Sequence, residues 1–236
     1  MKVRYFILGT LAVLVMIGLV VFVWQKPQTR NGFANPKKTP HYESNTPVHG
    51  STVAGVPINV VVDFNFDLAH GSAIAISHDG QDYGKGETTI DDNKLALRRQ
   101  MTVDAPDGLY TVGYKACWPD GSCHTGHFQF KIDRSLASQF LDLRHQSEVM
   151  IDLTNFAFKP KEIKISPGTQ VIWKNSDPVS HFINTDSHPA HTYFPQQNSR
   201  ELGEGDTYSL TFTTPGLYPY HCSAHAAMMT GTLLVE

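Results

Sequence analysis

The sequence predicts an all-β protein: two Greek-key-type β-sandwich domains after one N-terminal transmembrane helix. Three observations predict it. Apolar and polar residues alternate with period two in short runs from about residue 41 to the C-terminus. The alternation lapses once, over 134–147, which divides it into two blocks. Ahead of the first block, Tyr5 to Trp24 is a run of twenty residues without a charge.

That run is the length a helix needs to cross about 30 Å of hydrocarbon. Lys2 and Arg4 precede it, and Trp24 stands where an interfacial ring would. A cleaved signal peptide would carry a shorter apolar core and a small-x-small cleavage site. Trp24-Gln25-Lys26-Pro27 follows instead, so residues 1–24 are read as an uncleaved anchor. Residues 25–40, polar and rich in Pro, Asn and Lys, read as a linker. In 41–133, Ile58, Val60, Val62, Phe64 and Phe66 alternate with Asn59, Val61, Asp63 and Asn65. Tyr110, Val112 and Tyr114 repeat the pattern, as do Phe128, Phe130 and Ile132. Residues 134–147 read as a second linker with a short helical turn. In 148–236, Val149, Ile151 and Leu153 alternate with Met150 and Asp152, and Tyr208, Leu210 and Phe212 with Ser209 and Thr211. Pro167-Gly168 and Pro215-Gly216 mark turns.

A net charge of −3 offers neither a basic surface for nucleic acid nor an acidic tail. Twelve His and six Met against three Cys raise the prospect of a transition metal. The stretch Tyr218 to Gly231, YPYHCSAHAAMMTG, places Cys222, His225 and Met228 or Met229 on one short loop between strand patterns. His181, in NSDPVSHFIN, offers a second imidazole. Copper cycling between two oxidation states is served by this mixture: a thiolate suits Cu(I), imidazoles suit both states, and a thioether binds weakly without forcing tetragonal geometry. One Cys-x2-His by itself would be an ordinary buried Cys and surface His. Four ligand types in this order, on loops of a β-sandwich, argue for a metal. A binuclear copper centre would need a second Cys on the loop, and multicopper oxidases need His-x-His pairs; neither is present. His188 and His191 could form a further metal pair, although histidines isolated on a polar loop are more often solvent-exposed.

With these residues in view, Glu148 to Glu236 resembles the cupredoxin family, the plastocyanin, amicyanin and azurin class. NFAFKPKEIKISPGTQVIWKNSD looks like its opening strands and GLYPYHCSAH followed by Met-Thr-Gly its close. The resemblance implies one type 1 copper held by His181, Cys222, His225 and an axial Met. Met228 has amicyanin-like spacing from His225, while Met229-Thr230-Gly231 better fits the family's lead into the last strand; Met229 is preferred. Residue 182 is Phe where several relatives carry an Asn that braces the thiolate.

Residues 41–133 resemble the CopC copper-resistance family through SNTPVHGSTV, INVVVDFNF and DGLYTVGYKACWPDGSCHTGHFQFKI. That family binds Cu(II) through an N-terminal His and an Asp-x-His pair. Here Asp120 is followed by Ser122, the nearest histidine is His124, and His41 is no terminus if the anchor is retained. A second copper is therefore not expected in this domain unless the site has been rebuilt. Cys117 and Cys123 flank a short turn, and strand parity puts both on the outward face. A cross-strand disulfide accounts for them, which implies an oxidising compartment; a soft copper site with His124 is the alternative.

The sequence thus predicts a membrane-anchored blue-copper electron carrier, not an enzyme, with its soluble domains outside the cytoplasmic membrane and a redox protein as partner. The alternative is a copper-handling protein that stores, delivers or detoxifies the metal with a copper donor or acceptor as partner.

Overall fold

A computed structural model of the protein describes residues 32–236. The expected anchor lies outside these residues; among those described, no helix is long and apolar enough to cross a membrane. The described protein is all-β, built from four sheets.

The first domain packs a four-stranded sheet on a five-stranded one. The first runs, in spatial order, Tyr42–Thr46, Asn59–Phe64, Ala96–Met101 and Gly84–Ile90. The second runs Thr52–Val53, Cys123–Ile132, Gly108–Cys117, Ala73–His78 and Gln81–Asp82. Alternation decides which side chains meet: Tyr110, Val112 and Tyr114 face Val60, Val62 and Phe64 in one core, while Leu109 is exposed. Residues 32–40, the described part of the stretch read as a linker, run along Cys123–Ile132, with Lys37 and His127 exchanging both backbone hydrogen bonds at 2.9 Å.

Cys117 and Cys123 pair in register across the long hairpin and form a disulfide. The outward placement read from strand parity holds for Cys123, which is exposed, but Cys117 is buried. A turn folds over it: Ala69 N–H donates to the Cys117 carbonyl (2.8 Å), and the Cys117 N–H donates to Ser72 Oγ (2.9 Å).

The second domain repeats the two-layer plan. Phe158–Lys159, Glu148–Leu153, Thr169–Asn175 and Thr207–Phe212 form one sheet. Leu141–Asp142, Glu162–Ile165, Thr230–Val235, Gly216–His221 and Asn184–Thr185 form the other. Val149, Ile151, Leu153 and Trp173 close on Ile163, Ile165, Tyr218, Tyr220 and Leu233. The segment 134–147 contains a 3-10 helix, Arg134–Gln139, capped by Asp133, and then the edge strand Leu141–Asp142, which pairs parallel with Ile163 and Lys164.

The domains share a packed seam. Every residue of Asn59–Phe64 is buried. Val60 and Val62 enter the first core, while Val61 and Ile58 join the second. The Tyr193 hydroxyl accepts from Ile58 N–H (2.9 Å) and donates to the Leu217 carbonyl (2.6 Å), tying one strand of each domain together. Asp63 is buried and accepts from Thr192 Oγ1 at 2.6 Å and from the Ser187 hydroxyl. Arg98 donates to the Thr192 carbonyl at 2.7 and 3.0 Å. The loop from Asp186 to Tyr193 is therefore held on one side by the first domain.

Candidate metal centre

The strand Gly216–His221 positions the centre. Tyr218, Tyr220 and Cys222 alternate onto the core face, and all are buried. A one-turn 3-10 helix, Ser223–His225, follows, so the His225 ring doubles back toward the Cys222 sulfur. The return strand Thr230–Val235 begins beneath Tyr220. A Cβ on Gly231 would lie 2.3 Å from the Tyr220 ring, so only glycine lets the two strands close the loop there.

Cys222 Sγ lies 3.5 Å from His181 Nδ1 and 3.5 Å from His225 Nδ1. These donors converge within 4.8 Å of one another. Cys222 and His181 are both fully buried, and His225 is partly exposed. The loop therefore brings together three of the four residues expected from sequence. Met229, the fourth, is fully buried and packs in the same core as Cys222, while Met228 is 70% exposed. Hydrogen bonds from Cys222 N–H to the Met229 carbonyl and from Met229 N–H to the His225 carbonyl, both 3.0 Å, fasten Met229 to the ligand loop.

Three supports escaped the sequence reading. Asp177 Oδ2 lies 2.9 Å from His181 Nε2, so it holds the far nitrogen and leaves Nδ1 facing the sulfur. Burial pushes the Asp177 carboxyl up, but the backbone N–H groups of Phe156 and Asn155, together with His181, outweigh it and hold its pKa below the ordinary value. The Phe182 backbone N–H donates to Cys222 Sγ at 3.4 Å, so the main chain contacts the sulfur at a position where the side chain is a phenyl ring. Phe156 stands edge-on to both imidazoles, with centroids 4.8 Å from His225 and 5.9 Å from His181, and is 42% exposed. The spacing Asp177-x3-His181 was the legible signal for the first of these; the other two depend on the folded backbone.

The donor set fits a thiolate- and imidazole-held metal ion. The two Nδ1 atoms face one sulfur, the far nitrogen of His181 is engaged elsewhere, and burial keeps water from the sulfur. In the first domain, by contrast, Asp120 Oδ1 accepts from Ser122 N–H (2.9 Å) and Oγ (2.7 Å), and His41 Nδ1 lies 3.1 Å from Asn65 Oδ1. Neither Asp120, His41 nor His124 belongs to a convergent donor group among the described residues.

One further group does converge: His188, His191 and His221, whose ring nitrogens also lie within 4.8 Å of one another. His188 is exposed, His191 partly buried and His221 buried. Burial first, and then the neighbouring His221 and His188 rings, push the His191 pKa down to about 4. The sequence offered SHPAH as a pair, and the structure adds His221 as a third member. Strand parity was the available signal, because a residue next to Cys222 must face the other side of the sheet.

Comparison with known proteins finds two family matches in the chain. Residues 145–236 match the family model for copper binding proteins of the plastocyanin/azurin family, and residues 42–133 match the CopC domain. Amicyanin-alpha from Methylorubrum extorquens is 29% identical over 86 residues, 36% of this chain and 70% of that protein. Plastocyanin from Prochlorothrix hollandica is 34% identical over 82 residues, 34% of this chain and 63% of that protein. Among solved structures, a purple cupredoxin from Nitrosopumilus maritimus is 28% identical over 37% of this chain and 99% of its own, with a TM-score of 0.33.

Proposed function

We propose that this chain, a copper-binding protein in which a CopC domain precedes a cupredoxin domain of the plastocyanin/azurin family, is a membrane-anchored single-electron carrier working on the outer side of the cytoplasmic membrane. One observation carries the reading: a buried Cys222 sulfur faced at 3.5 Å by two imidazole nitrogens, each approaching through Nδ1. Copper bound there would supply one-electron redox chemistry, and His181, Cys222, His225 and Met229 would hold it. The chain's own residues do the rest. Asp177 orients His181, the Phe182 N–H steadies the sulfur, and the sandwich fixes donors from two distant segments, so little needs to move when the oxidation state changes.

His225 is the ligand that reaches the surface. Around it Phe156, Ala224, Ala227 and Met228 are exposed and uncharged. Such a rim suits brief contact with a redox partner, where a small interface favours rapid release. The Cys117–Cys123 disulfide supports an oxidising compartment, and the apolar run Tyr5 to Trp24 supports the anchor.

The CopC domain favours a second reading, copper storage or delivery. Loading the full chain with Cu(II) and recording optical and EPR spectra tests the first reading: an intense visible thiolate-to-copper band with narrow copper hyperfine splitting is expected. A Cu(I) chelator of moderate affinity then separates the two. Retained copper with fast electron exchange supports the carrier, and rapid loss of copper to the chelator supports delivery.

A further inference from the structure

The histidine trio at the domain seam is not used by the copper centre. His221 and Cys222 are consecutive, but they face opposite sides of their strand, so His221 points away from the sulfur and toward the Asp186–Tyr193 loop. There His221 Nε2 lies 3.2 Å from His191 Nε2. The three rings have centroids 5.1–5.5 Å apart and are tilted 42–82° from one another, so they meet through their edges rather than stacking.

Two of the three rings are also held by neighbouring side chains. Asp186 Oδ1 lies 3.1 Å from His221 Nδ1; the ring gives its Nδ1–H to the carboxylate and turns the Nε2 lone pair inward. Ser223 Oγ lies 3.0 Å from His191 Nε2 and donates to Asn184 Oδ1 at 2.8 Å. His191 holds a left-handed backbone conformation, φ 53°, which a β-carbon disfavours and which persists only where the surroundings impose it. The first domain supplies part of that constraint. It grips the residues flanking the trio's loop, Ser187 and Thr192, through buried Asp63 and through Arg98. His188 is exposed, which leaves a path in from solvent.

We propose that His188, His191 and His221 form a second metal site, one for a borderline divalent transition-metal ion of the Zn(II) or Cu(II) kind. Three neutral imidazoles with no thiolate or carboxylate in the set are the donors such ions accept, and they leave a fourth position open. The carboxylate behind His221 completes the arrangement that commonly orients a ligating histidine. Hydrogen bonding alone would account for the contact between His191 and His221, but it gives no reason for His188 to lie in the same group.

The test titrates the full chain, its first site already filled with copper, with Zn(II) and follows the heat of binding. One zinc ion should bind. His191→Gln should lose it, and His188→Gln should bind about tenfold or more weakly. His188 is exposed, so its replacement leaves the packing intact, and an unchanged visible spectrum in both variants verifies the fold. Repeating the titration with Cu(II) as probe distinguishes the two ions by affinity. Running Cys222→Ser against Cys222→Ser/His191→Gln reads the trio whatever the first site proves to be. A wild-type chain that takes up neither zinc nor a second Cu(II) ion, or a His191→Gln protein that binds as much of either as wild type, overturns the proposal.

Discussion

In the CopC domain, His78 Nδ1 lies 2.9 Å from the Leu109 carbonyl, His127 Nε2 lies 3.1 Å from that of Asn35, and His49 Nδ1 accepts from Gln129 N–H at 3.1 Å. In the cupredoxin domain, His181 and His225 turn to a sulfur, and His191 and His221 turn to each other. Yet the twelve histidines are spread over both: His41, His49, His70, His78, His124 and His127 lie in the first domain, His145 in the connecting segment, and the other five in the second domain. A ring that gives one nitrogen's proton to an oxygen keeps the other nitrogen for a metal, as His181 does beside Asp177, so what counts is whether further donors meet that second nitrogen. Among the described residues, donor atoms of three or more ligand side chains converge in the second domain, at the Cys222 sulfur and at the histidine trio.

The comparison breaks most visibly at the sulfur. Cys222→Ser should abolish the visible absorption of the copper-loaded protein outright, whereas Asp120→Asn or His41→Ala in the first domain should leave the band unchanged in intensity and position. Absorption spectra of the three loaded variants decide it, and a loss of colour in either first-domain variant would mean that the CopC domain takes part in the centre after all.

Tyr193 tests whether the domains are separate units. Its hydroxyl accepts from Ile58 N–H across the seam and donates to the Leu217 carbonyl. Tyr193→Phe keeps the ring but leaves a buried N–H without an acceptor, at a cost of about 1–3 kcal/mol. Chemical denaturation should show that loss. Hydrogen exchange should place the new opening at Asn59–Phe64 and Gly216–His221 in both domains, and exchange confined to one domain would show that the seam does not couple them.

What the sequence disclosed follows the same line. Alternation located the strands because each sheet of a sandwich buries one face; hence Val149, Ile151 and Leu153 are buried while Met150 is 53% exposed. The ligand loop was legible because Cys222 and His225 sit within one turn of chain. Asn59–Phe64 misleads that rule: it alternates as if half-exposed, but the second domain covers its other face, burying Asp63 with it. Cys117 was read as outward for a similar reason, since the turn that covers it lies more than forty residues away in sequence. The histidine trio was hidden because two members belong to a loop and the third to a strand, and only the pairing of Asn184 with His221 brings them together.

The axial position offers a finer comparison within one domain, between neighbours in sequence. Met229→Leu should raise the reduction potential, because removing a thioether disfavours Cu(II). Met228→Leu should leave it nearly unchanged, as that side chain is 70% exposed while Met229 is fully buried. Voltammetry of the two variants reads the difference, and the reverse pattern would move the axial role to Met228.

The smallest expected effect returns to the first domain, where a charged pair, Asp82 and Arg99, links two strands. Asp82 accepts from Ile76 N–H (3.0 Å) and Gly84 N–H (3.1 Å) and pairs with Arg99 at 2.8 Å. Partial burial pushes its pKa up, but these two N–H groups and the Arg99 guanidinium outweigh it, so the folded value lies below the ordinary one. A depressed folded pKa contributes stability above the unfolded value, about 4, and the contribution disappears as pH falls through the folded value. Because the pair is half-exposed, it is worth on the order of 1 kcal/mol or less. Asp82→Asn should therefore be slightly less stable than wild type at neutral pH and converge with it in acid, without any change in the copper spectrum. Denaturation midpoints measured across pH 2–7 would show the convergence; a difference that persists at the acid end would assign the role of Asp82 to its shape and hydrogen bonds rather than to its charge.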